Sequence, residues 1–135
     1  WIPAGWTHTK MKRGRHGHVF HPDASNLDTC FIVEKHKLKY SVTEKDIPIL
    51  REGFKQGLEA LPGVEIEWQE ETITKLMMFW DAKFTFLEGD KRRKRWLRNM
   101  YWGNGQLVLI AQGATPEEFE YYLPMFYNTM MTIEL

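Results

Sequence analysis

The stretch from Trp96 to Leu135 constrains this chain more than any other. It reads as strand, turn, strand and long helix. Gly103-Asn104-Gly105 marks the turn, because Asn and Gly accept the positive φ that tight hairpins demand. Residues 106–111, Gln-Leu-Val-Leu-Ile-Ala, form the partner strand. Thr115-Pro116-Glu117-Glu118 then opens a helix over 115–133. Thr115 offers an N-cap oxygen, Pro116 takes the first helical position, where a missing N–H is harmless, and Glu118 closes a capping box. Phe119, Tyr122, Leu123, Phe126, Met130 and Ile133 recur at helical spacing as one apolar stripe. Pro124 lies inside that stripe and predicts a kink. This pattern specifies local architecture and reports almost no chemistry.

The rest of the chain follows the same logic. Residues 1–28 are punctuated by Pro3, Gly5, Gly14, Gly17 and Pro22, with Val19-Phe20 as a short edge strand. Residues 29–36 read as a strand whose centre is apolar on both faces, which predicts a buried place in the sheet. Ile47, Leu50, Phe54, Leu58 and Leu61 mark a first helix within 43–61. Thr43 and Asp46 compete as its cap; Asp46 is preferred, since it keeps Pro48 in the first turn. Pro62-Gly63 stops the helix. Val64, Ile66 and Trp68 alternate with Glu65, Glu67 and Gln69, as in a half-buried strand. Strands at 79–87 and 92–102 follow, joined by the turn Glu88-Gly89-Asp90. A length of 135 residues, 43% of them hydrophobic, suits one domain spanning 1–135 with its own core. The order predicts an α+β fold: a single antiparallel sheet with two helices packed on one face.

That order resembles the PsbP/DcrB-like family of small α+β domains. Pro3-Ala4-Gly5-Trp6 is similar to the family's proline–tryptophan entry. The helix at 46–61 sits between the second and third strands, a meander covers 64–111, and Phe119…Tyr122-Leu123…Phe126…Met130…Ile133-Glu134-Leu135 is similar to its closing helix and apolar tail. The resemblance implies a mostly non-enzymatic background of photosystem extrinsic subunits, envelope lipoproteins and effector-binding chaperones. It brings no shared active-site motif, so no functional residue is carried over. The chain has no lipobox cysteine near its start, which argues against a membrane-anchored role.

Charge is balanced, 18 basic residues against 18 acidic, so no global field favours nucleic acid or membranes. No apolar run reaches the ~20 residues of a membrane span. Cys30 is the only cysteine and sits in an apolar run, where it reads as a buried, unreactive thiol. A cytoplasmic location fits an unpaired cysteine; a cleaved export signal ahead of Trp1 is compatible with it too. His16, His18 and His21 lie within six residues and are the candidate metal ligands, with His8 and His36 nearby in sequence. No Cys, Asp or Glu stands at a recognised metal spacing, and Lys10, Lys12, Arg13 and Arg15 would repel a cation. No metal and no cofactor is expected.

The densest basic run is Lys91-Arg92-Arg93-Lys94-Arg95 with Arg98. Trp96, Tyr101 and Trp102 stand beside it, as in surfaces that bind nucleic acid. The neutral overall charge and the lack of an RNA-binding motif weigh against that reading. Cross-strand pairing with Glu65, Glu67, Glu70 and Glu71 explains part of the run. Strand alternation would send the remainder outward, so Arg92, Arg93, Arg95, Arg98, Trp96 and Tyr101 are assigned to binding another protein or a second copy, as in a homodimer. The sequence therefore reads as a non-catalytic interaction module, an accessory subunit or adaptor/chaperone of a larger assembly. The alternative is a small-molecule-binding protein or cofactor-free enzyme, with a pocket lined by Trp68, Trp80, Phe84, Phe86, Trp96 and Trp102 and with Asp81 as acid or base.

Overall fold

The computed structural model describes residues 1–11 and 16–132. The expectations placed on Lys12, Arg13, Gly14, Arg15 and the tail Ile133-Glu134-Leu135 lie outside the described residues. The chain runs β1 (Thr7–Lys10), β2 (Gly17–His21), β3 (Cys30–Lys37), a 3₁₀ turn (Glu44–Asp46), α1 (Ile47–Glu59), β4 (Glu65–Ile73), β5 (Met78–Glu88), β6 (Lys91–Trp102), β7 (Gly105–Gly113) and α2 (Pro116–Met131). All seven strands join one antiparallel sheet in the order β1-β2-β3-β7-β6-β5-β4. The last strand in the chain thus occupies the middle, between β3 and β6. β2 is therefore not the edge expected of Val19-Phe20; the short β1 lies outside it.

The antiparallel sheet and both helices are as the sequence predicts, but the helices cover opposite faces rather than one. Register shows why. Trp96 pairs with Ala111, and its neighbour Leu97 pairs with Ile110 and Ala82. Successive strand residues point to opposite faces. Trp96, Met100, Leu107, Leu109 and Ala111 pack beneath Phe119, Phe126 and Met130 of α2. Trp80, Ala82, Phe84 and Phe86 pack beneath Phe54 and Leu58 of α1, with Leu97 at the rim. Strands apolar on both faces need cover on both, and one helix goes to each.

Local sequence explains the element boundaries. Thr115 caps α2 by accepting a hydrogen bond from the Glu118 N–H at 3.1 Å. The reciprocal half of the expected capping box is absent, because the Glu118 carboxylate instead accepts from Asn26 (2.8 Å) and Thr29 (3.1 Å). α2 continues through Pro124, which faces solvent. At α1 the two competing caps act together. The Asp46 carboxylate accepts from the Thr43 N–H at 2.8 Å, Thr43 opens the 3₁₀ turn, and Pro48 falls in the first turn of α1. β4 departs from simple alternation: a bulge between Ile66 and Trp68 turns Trp68 to the α2 side, opposite Lys83. As the outermost strand, β4 is exposed along nearly its whole length instead of half-buried. Gly113 lets the end of β7 run against α2; a Cβ there would meet the Phe119 backbone nitrogen within 2.3 Å.

Candidate functional site

The basic strand β6 is threaded between the two covered faces. Arg93 and Arg98 are buried, and so is Trp96 at 2% exposure. Arg98 donates to the Asp81 carboxylate at 2.7 Å and to the Met130 carbonyl at 3.3 Å. The Trp96 indole donates to the same carboxylate at 3.0 Å. Arg93 donates to the Ala114 carbonyl (2.8 Å) and lies 3.3 Å from Asp28 and 3.4 Å from Glu88. Lys94 is held by Glu67 at 2.7 Å and Glu120 at 2.6 Å. Burial opposes the Lys94 charge, but the two carboxylates outweigh it and raise its pKa above the ordinary lysine value. β4 and β6 are not neighbours, so Glu67 and Glu65 reach Lys94 and Arg92 across β5 rather than as adjacent-strand pairs. Most of the run is thus neutralised within the molecule. Of the assigned set, Arg92, Arg95 and Tyr101 keep partial exposure.

Asp81 does not face solvent. It is 2% exposed and enclosed by Arg98 and Trp96. The aromatic set is divided. Trp80, Phe84 and Phe86 belong to the α1 core and Trp96 to the α2 core; Trp102 is half-buried, and Trp68 is exposed on β4. They do not line one pocket. The histidines divide as well. His18 meets His8, with Nδ1 and Nε2 2.6 Å apart, while His21 Nδ1 lies 3.3 Å from the Thr29 carbonyl and His16 is exposed just before β2. Among the described residues no group of three His, Cys, Asp or Glu converges as metal ligands. Cys30 is buried, and burial pushes its thiol up to about 11.

A different surface emerges on the α1 side. Along the middle of β6 and β7 the residues facing α2, from Lys94 to Met100 and from Leu107 to Gly113, are buried, whereas Arg95, Leu97, Asn99, Tyr101, Gln106, Val108 and Ile110 on the other face are half-buried. α1 covers the β5 end of this face only. Beyond it, register aligns Val19, Ile32, Ile110 and Leu97 in one row across β2, β3, β7 and β6, with Val108 alongside. Val19, Ile32, Val108 and Ile110 belong to neither core. Polar residues surround them: Glu34 opposite Val108 on β3, Asn99 opposite Val108 on β6, and Gln112 beside Ile110. Arg95 lies over the Phe86 ring at 4.5 Å and donates to Gln112, and burial pulls its pKa below the ordinary arginine value. An aliphatic centre ringed by polar groups with an arginine at its margin has the composition of a protein-binding patch. Sequence reading identified Arg95 and Tyr101 on this face and missed its aliphatic centre. The signal lay in strands 30–33 and 107–111, apolar on both faces, in a chain offering only two helices as cover.

No protein-family model and no curated protein matches the sequence. Solved structures do. PsbP (CyanoP) from Synechocystis superposes with a TM-score of 0.68 at 13% identity, over 99% of this chain and 84% of that one. The chain has the PsbP-like fold. A Pseudomonas aeruginosa protein of unknown function gives 0.65 at 10% identity over 98% of both chains. LpqN of Mycobacterium tuberculosis, involved in cell envelope biogenesis, gives 0.61 at 14% identity, over 95% of this chain and 76% of that one. The PsbP-like fold fits the entry segment, where Trp6 packs edge-on against Tyr122 and Phe126 of α2. It also fits the helix between β3 and β4. Among the described residues no helix is long and apolar enough to cross a membrane.

Proposed function

We propose that this PsbP-like chain is a non-catalytic protein-interaction module, an accessory subunit or adaptor, and that it docks through the half-open α1 side of its sheet. One observation carries the reading: Val19, Ile32, Val108 and Ile110 form a contiguous aliphatic patch that neither helix covers. Its structural neighbours, among them a protein described as a regulator and one involved in cell envelope biogenesis, are consistent with this reading. The patch would bury its centre against an apolar segment of the partner, with Arg95, Gln112 and Glu34 at the rim. Arg95 and Tyr101 extend it at the margin; Arg92, which alternation sets on the α2 face, and Arg93, Trp96 and Arg98 would contribute by holding β6 in place.

Affinity capture from the native source, using the intact chain as bait, tests this. Val108→Glu with Ile110→Glu should lose the specific partner while retaining the native melting transition. A folded double variant that captures the same partner with equal yield overturns the reading.

A further inference from the structure

We propose that the cleft between α1 and the free edge of β4 accepts an extended segment of a partner protein, which adds beside β4 as an eighth strand. β4 ends the sheet, so one side of its backbone meets no neighbouring strand. Its nine residues give a row of outward N–H and C=O groups, which an extended main chain satisfies and a helix or a lipid surface does not. From Gln69 to Ile73 the register with β5 is regular, so the strand beyond the bulge is a straight template.

The neighbouring helix supplies the pocket that such sites use for selection. α1 buries Phe54 and Leu58 over β5 and reaches the outer strand only through the Arg51–Glu71 pair, leaving Ile66 38% exposed. The space between them is a cleft of about 350 Å³, floored by Phe54, Leu58, Ile66 and Trp80, rimmed on the helix side by Arg51, Lys55 and Glu59 and bordered on the strand side by Glu70 and Glu71. Residues of an added strand would alternate between this cleft and the opposite face.

Four glutamates on an edge strand ordinarily guard it against pairing. Here three are drawn away by the molecule's own cations. Glu71 is clamped by Arg51 through two hydrogen bonds of 2.7 and 2.9 Å and accepts the Trp80 indole at 2.6 Å. Glu67 is held by Lys94 at 2.7 Å, and Glu65 lies 4.0 Å from Arg92. Among the described residues Glu70 has no ion pair. It shares the α2-side face of β4 with Trp68, which is 37% exposed and carries Lys83 over one face of its ring at 5.4 Å, leaving the other face for a second cation. A lysine or arginine of the incoming strand would meet both, by charge and by cation–π contact. The occupant is thus an extended segment alternating apolar residues, toward the cleft, with basic residues, toward Glu70 and Trp68. A second copy paired through β4 would set these acidic strands against each other and is disfavoured. This site is separate from the Val19–Ile110 patch, and neither reading depends on the other.

The test uses the intact chain and a fluorescein-labelled eight-residue peptide alternating Leu and Lys. Fluorescence anisotropy should show saturable binding, and amide exchange at residues 69–73 should slow on peptide addition. Methylation of alternate peptide nitrogens on the pairing edge should abolish binding. Glu70→Lys should weaken it by about tenfold, equivalent to about 1.4 kcal/mol. Val108→Glu, on the other surface, should leave it unchanged, and thermal melts report whether each variant is folded. The proposal is overturned by no binding at millimolar peptide, by binding indifferent to methylation or to Glu70→Lys, or by protection of residues 69–73 that rises with protein concentration alone, which would indicate a dimer.

Discussion

Asp81 and Arg98 form an ion pair shut between β5, β6 and α2, and removing either partner should strand the other charge away from water. Asp81→Ala is expected to cost about 3–5 kcal/mol, read as a shift in the urea midpoint at constant slope; a loss below about 1 kcal/mol would show that the carboxylate is well hydrated. Glu71 carries a pH signature. The Arg51 hydrogen bonds hold its pKa below the ordinary 4.5, against a partial desolvation that opposes them, with the Trp80 indole adding to the depression. A depressed carboxylate contributes stability above its unfolded pKa and loses it as pH falls through the folded value. Glu71→Gln should therefore flatten the acid limb of melting temperature against pH, as pH falls through and below the ordinary glutamate value, and leave the alkaline limb unchanged. Strand alternation alone sets Lys94, Trp96 and Arg98 on one face, because it is a local property. The sequence does not show that α2 lies over that face, since cover is decided by packing between distant segments.

At the scale of elements, the C-terminal hairpin and α2 were legible because their signals are chemical and short-range: a cap, a proline at the first helical position, glycines at a turn. Thr115→Ala should cost about 0.5–2 kcal/mol through loss of the Glu118 N–H acceptor, measured by thermal or urea denaturation. Gly113→Ala should be worse than its size suggests, because the added methyl meets the backbone of Phe119 rather than a movable side chain. A loss of at least about 1–3 kcal/mol is expected, and an unchanged midpoint would mean that the β7–α2 junction relaxes freely. β1 and the β4 bulge were not legible. Thr7-His8-Thr9-Lys10 has no apolar alternation, as its full exposure explains, and is ordered by pairing with β2. The bulge arises from register between strands, which hydrophobic period alone does not encode.

For the molecule as a whole, the resemblance and the meander led to the right sheet but to the wrong placement of helices. A count of apolar faces would have corrected it: β5, β6 and β7 bury side chains on both sides and demand a helix on each. The same count shows that two helices cannot cover seven strands, which leaves the aliphatic row of β2, β3 and β7 half open. The central position of β7 also has a kinetic side. β4 to β7 are joined by short hairpins and can zip locally, whereas β3 waits for a partner 68 positions further along at Lys37 opposite Gly105 and 82 at Cys30 opposite Gln112. Closing that long loop costs entropy before any contact rewards it. Pulse-labelled hydrogen exchange during refolding should therefore find amides of β5 and β6 protected before those of β2 and β3, with the reverse order contradicting the scheme. During synthesis, the adherent strand Cys30-Phe31-Ile32-Val33 emerges well ahead of its partner β7, so the nascent chain carries an unpaired sticky edge until the last strand has been made.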